Sequence, residues 1–77
     1  MKVLDAAFVN LTSSAVARVA YDHRRQLLHV EFRDGSTYTY LDVPPVIYQE
    51  LLRAQSQGGY FNKTIRNEFD HSNIEES

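Results

Sequence analysis

The sequence predicts an α+β domain: a three-stranded antiparallel sheet followed by two helices packed on one of its faces, in the order β-β-β-α-α. Three observations carry this. Residues 26–33, "QLLHVEFR", alternate apolar and polar with a period of two, the mark of a half-buried antiparallel strand. Asp34-Gly35 follows at once as a hairpin signal, and "STYTYLD" returns as a strand rich in Thr and Tyr. Past Pro44 and Pro45 the apolar period lengthens to that of a helix.

The first strand is "AVARVAYD", residues 15–22, favoured by Val16, Val19 and Tyr21. Its alternation slips between Val16 and Val19, which predicts a β-bulge. Ser14 is expected to cap the strand's start, and "DHRR" at 22–25 is a polar turn. In the second strand Leu28, Val30 and Phe32 share one face, and His29, Glu31 and Arg33 share the other. Pro44 disfavours a helical Val43, and Pro45 does the same to Pro44, so the first helix begins near Pro45. Through 45–57 Ile47, Tyr48, Leu51, Leu52 and Ala54 form an apolar arc opposite Gln49, Glu50, Arg53 and Gln57. Gln55 falls inside that arc, where it is expected to satisfy a buried backbone group. Gly58-Gly59 is expected to stop this helix. A second helix over about 60–68 places Phe61, Ile65 and Phe69 on one side.

Tyr38 and Tyr40 pose the sharpest structural question. A two-residue turn at Asp34-Gly35 would pair Val30 with Thr39 and turn both rings outward beside His29, Glu31 and Arg33. A three-residue loop with Gly35 as a left-handed bulge would pair Val30 with Tyr38 and Leu28 with Tyr40, turning both rings inward. The bulged turn is the expectation, because a domain of 77 residues can rarely spare two large rings for solvent.

Composition bounds the class. The chain is 43% hydrophobic and 23% charged, ordinary for one small globular domain. Cysteine is absent, which excludes a disulfide framework and a thiolate metal site. The start, "MKVLDAAFVNL", has one Lys and an apolar run broken by Asp5, a poor secretion signal, so a cytoplasmic location is expected. No stretch approaches the ~20 apolar residues of a membrane span. The formal charge of −2 is uneven: all eight Lys and Arg precede residue 68, against six acidic residues there. The globular domain is expected over 13–69, preceded by an N-terminal segment, 1–12. An acidic tail expected to be disordered, 71–77, follows it.

Taken in order, "SSAVARVAYD", "VEFRDG", "YTYLDVPPVIYQELL" and "SQGGYFNKTIR" resemble the KTSC domain, a short module named for the C-terminal extension of some lysyl-tRNA synthetases. The family also occurs as small free-standing bacterial proteins. The pattern falls here on Ser14, Tyr21, Asp22, Phe32, Gly35, Tyr38, Tyr40, Val43, Pro44, Ser56, Gly58, Tyr60, Phe61, Asn62, Ile65 and Arg66. The resemblance spans about residues 13–66 and implies an RNA-binding role, from the family's place on a tRNA synthetase.

The residues themselves point to binding rather than catalysis. Ser13 and Ser14 lack a Gly-x-Ser-x-Gly elbow and a placed base. His23, His29 and His71 lack metal-ligand spacing, so neither metal nor cofactor is expected. On the last helix Lys63 and Arg66 lie three apart on one face, flanked by Asn62. Arg18 and Arg33 are placed on the outward face of the sheet. These five residues could hold phosphates while a tyrosine stacks bases. Against this stands a plain solvated surface, with Lys63 and Arg66 paired to Glu50 or Glu68. The expectation is a non-enzymatic module that binds RNA or single-stranded nucleic acid weakly. Its alternative is a protein-interaction module that uses a sheet edge or the helix face.

Overall fold

The computed structural model describes residues 8–73. Five strands form one antiparallel sheet in chain order: β1 (Val9–Asn10), β2 (Val16–Asp22), β3 (Leu27–Phe32), β4 (Thr37–Tyr40) and β5 (His71–Asn73). The sheet therefore has five strands, not the expected three. The expected three are its centre, and two short segments extend its edges. β1 pairs Val9 with Val19 and Asn10 with Arg18, while β5 pairs His71 with Tyr40, Ser72 with Thr39 and Asn73 with Tyr38.

The cause is the bare ladder of polar groups that an uncovered β4 would present. The chain leaving the helices passes along it, and the Leu41 N–H donates to the Asp70 carbonyl (2.9 Å) where the pairing begins. Residues 71–73 are thus strand rather than loose tail. Residues 1–7 of the N-terminal segment, and Glu75 and Glu76 of the tail, lie outside the described residues.

β2 contains the expected bulge. Register shifts between the Val16–Phe32 and Arg18–Glu31 pairs, leaving Ala17 as the extra residue. The bulge restores one inner face from a broken alternation, so Val16, Val19 and Tyr21 are all buried. Ser13, not Ser14, secures the entry to this strand: its Oγ accepts the N–H groups of Ala15 and Val16 at 3.0 Å each. The β3–β4 connection is the longer turn. Phe32 N–H donates to the Ser36 carbonyl, Gly35 N–H returns to the Phe32 carbonyl, and Gly35 takes φ +95°. Val30 then pairs with Tyr38 and Leu28 with Tyr40, and both rings turn inward.

Helix α1 spans Pro45–Arg53, with Pro45 at its first position as expected. It ends before the glycines. Ala54 is extended (φ −65°, ψ 142°), because Ser56 opens a new helix by accepting the Gly59 N–H on its Oγ at 3.1 Å. Gly58-Gly59 therefore lies inside helix α2, residues 57–68, instead of stopping α1. The close approach of the β2 entry explains one of these glycines: a Cβ on Gly58 would stand 2.7 Å from Ser13 Oγ. Gln55 is exposed. The bridging role expected of it falls to Gln57, whose Oε1 accepts from the Thr12 N–H (2.9 Å) and whose Nε2 donates to the Leu52 carbonyl (3.3 Å).

Helix α2 is α-helical over Gln57–Tyr60, π-helical over Phe61–Ile65 and α-helical again over Arg66–Glu68. Both helices cover the inner face of the sheet. Leu51 from α1, with Phe61 and Ile65 from α2, is fully buried with Val19, Leu28, Val30 and Tyr40 in one cluster. Burying each such side chain contributes roughly 1.5–3 kcal/mol. Phe61 meets Phe32 and Tyr40 edge-on, at 5.6 and 5.5 Å between ring centroids. At the other end Tyr48 stacks on Tyr21 (4.8 Å, 14°), and the Tyr21 hydroxyl donates to the Val43 carbonyl.

Candidate nucleic-acid interface

The five predicted contact residues divide between the two faces of the sheet. Arg18 lies on the outer face, opposite Glu31 in register, and its Nε meets Glu31 Oε1 at 2.6 Å. Its guanidinium also lies 4.4 Å from the centre of the Phe8 ring. Arg18 is therefore engaged locally, and the structure does not bring it to the others.

The other four gather on the helix side. Arg33 is not on the outward face expected for it: it follows the last residue of β3, where the longer turn carries it toward the β2 entry and into the helix-side cleft. Its Nε and Nη2 donate to the Ser13 carbonyl at 3.1 and 3.0 Å, and Nη2 also reaches the Leu11 carbonyl at 3.1 Å. Asn62 and Arg66 lie one π-type turn apart, and Arg66 Nη1 donates to Asn62 Oδ1 at 3.1 Å. Within that turn Phe61 and Ile65 are both buried, and the Arg66 N–H reaches back to the Phe61 carbonyl. Lys63 is exposed and lines an adjoining hollow with Ser56, Gly59, Tyr60 and Asn62. The pairing of Lys63 or Arg66 with Glu50 or Glu68 does not occur among the described residues. Glu50 accepts the Tyr60 hydroxyl instead, at 3.0 Å.

A cleft of about 510 Å³ opens between the sheet and α2. Phe32, Tyr38 and Tyr40 form its aromatic floor, with Arg33, Asn62 and Arg66 around it and His71 on the β5 side. The His71 ring is tilted against both tyrosines, at 5.0 Å from Tyr38 and 5.1 Å from Tyr40. Asp34 and Ser36 close the turn end. The Asp34 carboxylate accepts the Ser36 N–H (3.0 Å) and hydroxyl (2.7 Å), which hold its carboxyl below the usual range. Burial pushes the Tyr40 phenol above its ordinary value; the Arg66 guanidinium partly offsets this, and Tyr38 adds to it.

Sequence reasoning named Arg33, Asn62 and Arg66 as contact residues, though with Arg33 on the opposite face, and did not name His71 and Asp34. Nothing local marks His71, because its place depends on β5 docking. Asp34 reads as a turn residue, which it also is. Among the described residues no group of three His, Asp or Glu side chains could hold a metal ion, and no helix is long and apolar enough to cross a membrane.

A KTSC domain family model matches residues 12–69. A protein of Stutzerimonas stutzeri is 43% identical over 58 residues, covering 75% of this chain and 82% of that one. A lysine–tRNA ligase of Nostoc punctiforme is 39% identical over 56 residues, which cover 73% of this chain but 10% of the ligase. The crystal structure of a KTSC domain protein from Yersinia pestis superposes with a TM-score of 0.84 at 31% identity, covering 88% of this chain and 96% of that one. The chain belongs to the KTSC domain family.

Proposed function

We propose that this chain is a non-enzymatic module that binds single-stranded RNA weakly in the cytoplasm, using the cleft between the sheet and α2. The observation that carries the reading is the cleft's make-up: two arginines and an asparagine stand around a floor of aromatic rings. Guanidinium groups pair with phosphate oxygens, and a base stacked on an aromatic ring is worth ~1–3 kcal/mol. Tyr38, half-buried, offers the ring for that stacking. The segment shared with a lysine–tRNA ligase supports the same reading, since that protein's name places tRNA beside a KTSC-like domain.

The competing reading is a protein partner that adds a strand or docks on a helix. β5 already pairs with β4, and β1 pairs with part of β2, which weakens the strand-addition form of it. Titration with an oligo-RNA at rising salt separates the two. The RNA reading expects affinity to fall with a log–log slope of about −0.7 per phosphate contacted. It also expects Lys63→Glu with Arg66→Glu to abolish binding while leaving the melting temperature unchanged, both side chains being exposed. Amide signals of the cleft residues that stay unmoved by RNA at low salt would end this reading.

A further inference from the structure

We infer that the cleft is an end site, whose occupant is a nucleotide carrying a terminal phosphate monoester; this rests on the RNA reading above and narrows it. The first ground is shape. The aromatic floor is walled by Ala15 before β2, by Asp34 and Ser36 of the β3–β4 turn, by Asn62 and Arg66 of α2, and by His71 of β5. These lining residues come from four separate parts of the fold, which makes the cleft a local hollow rather than a groove along one element. The volume of about 510 Å³ lies in the range of small-ligand pockets, roughly 300–1,000 Å³. It suits one nucleotide better than a tract.

The second ground is charge. Arg33 and Arg66 share the cleft with one carboxylate, that of Asp34, and His71 adds an imidazole. An internal phosphodiester brings a single negative charge. A terminal monoester brings about −1.5 to −2 at pH 7 and three acceptor oxygens. Asp34 sits at the turn end, so repulsion directs the phosphate to the opposite end, where Arg66, Tyr40 and His71 converge. Tyr40 is 2% exposed, so it closes the floor at that end, and the donors there come from Arg66 and His71.

The third ground is preorganisation. Arg33 is clamped through Nε and Nη2 to the carbonyls of Leu11 and Ser13, leaving Nη1 to donate. Arg66 is tethered through Nη1 to Asn62, leaving Nε and Nη2. Each guanidinium is already oriented on one edge and still presents donors on the other, so little side-chain freedom remains to be lost on binding.

The experiment compares one hexanucleotide RNA in three forms: 5′-phosphorylated, 3′-phosphorylated, and with hydroxyls at both ends. Adenosine 5′-monophosphate, adenosine and inorganic phosphate are titrated beside them, all against the full chain at constant ionic strength. One of the phosphorylated RNAs should bind about tenfold tighter than the hydroxyl-ended form, as added charge-assisted hydrogen bonds imply. Arg66→Gln should erase that preference while leaving the melting curve intact, and His71→Gln should reduce it. Equal affinity for all three RNAs would overturn the end site and leave the RNA reading standing. So would an Arg66→Gln variant that weakens every form alike. Adenosine monophosphate binding without any binding of RNA would keep the monoester site and sink the RNA reading. Inorganic phosphate bound as tightly as the phosphorylated RNA would overturn nucleotide recognition.

Discussion

Tyr40 is 2% exposed, paired across the sheet with Leu28 and held edge-on by Phe61. Its truncation would leave a cavity under α2, so Tyr40→Ala is expected to cost ~3 kcal/mol or more, as large core aromatics do. Thermal denaturation reads this directly, and a variant that melts with the parent would refute the inward register. His29 makes a different prediction from the other face. Its Nδ1 lies 2.9 Å from Thr39 Oγ1, and burial pulls its pKa below the ordinary value, with the Asp22 carboxylate opposing in part. The unfolded chain then binds this proton more readily than the folded one. Its contribution to stability is complete above the ordinary value of about 6.5 and is lost as pH falls from there toward the lower folded pKa. Melting temperatures should therefore drop between pH 7.5 and 5.5 more steeply in the parent than in His29→Gln. Parallel slopes would remove His29 from the account.

At the scale of elements, α1 offers the cleanest contrast. Leu51 is fully buried and Arg53, two residues on, is exposed. Leu51→Ala is expected to lose ~2–5 kcal/mol and Arg53→Ala no more than about 0.5 kcal/mol; equal melting shifts would contradict the helix facing. The helical period made this face legible in the sequence, as strict alternation did for β3, and the glycine turn for the register of β4. The helix break was not legible. Gly58-Gly59 has the composition of a stop, but its role comes from the nearness of Ser13, forty-five residues away in the chain. The π-turn at Phe61–Ile65 has no composition of its own either, since the i, i+4 apolar spacing reads as ordinary α-helix. β5 left least trace, since His71, Ser72 and Asn73 have neither alternation nor β-propensity and pair because β4 has an edge to cover. The cleft was legible only in part: Arg33, Asn62 and Arg66 were named, but Arg33 on the opposite face. Its geometry was not legible, because α2 and β5 supply two of its walls.

For the whole molecule, the uneven charge gives a test that avoids the fold. Cutting after Asp70 would remove β5 with the tail, so the informative truncation is after Asn73. It deletes Ile74–Ser77, with Glu75 and Glu76 among them, and shifts the formal charge from −2 to 0. RNA affinity at low salt should rise and converge with the parent's at high salt, where screening acts on both; unchanged affinity at low salt would show that the tail does not oppose binding. The sheet order β1-β2-β3-β4-β5 also sets an order in time. The β2–β3 and β3–β4 hairpins close over a few residues each. β4 and β5 are joined through both helices, and closing that longer loop comes late. A three-residue strand held by so few ladder bonds is correspondingly the first to reopen. Amide protons of β5 should exchange well before those of β2 and β3, and with His71 away the cleft loses a wall while Leu51 and Phe61 stay packed.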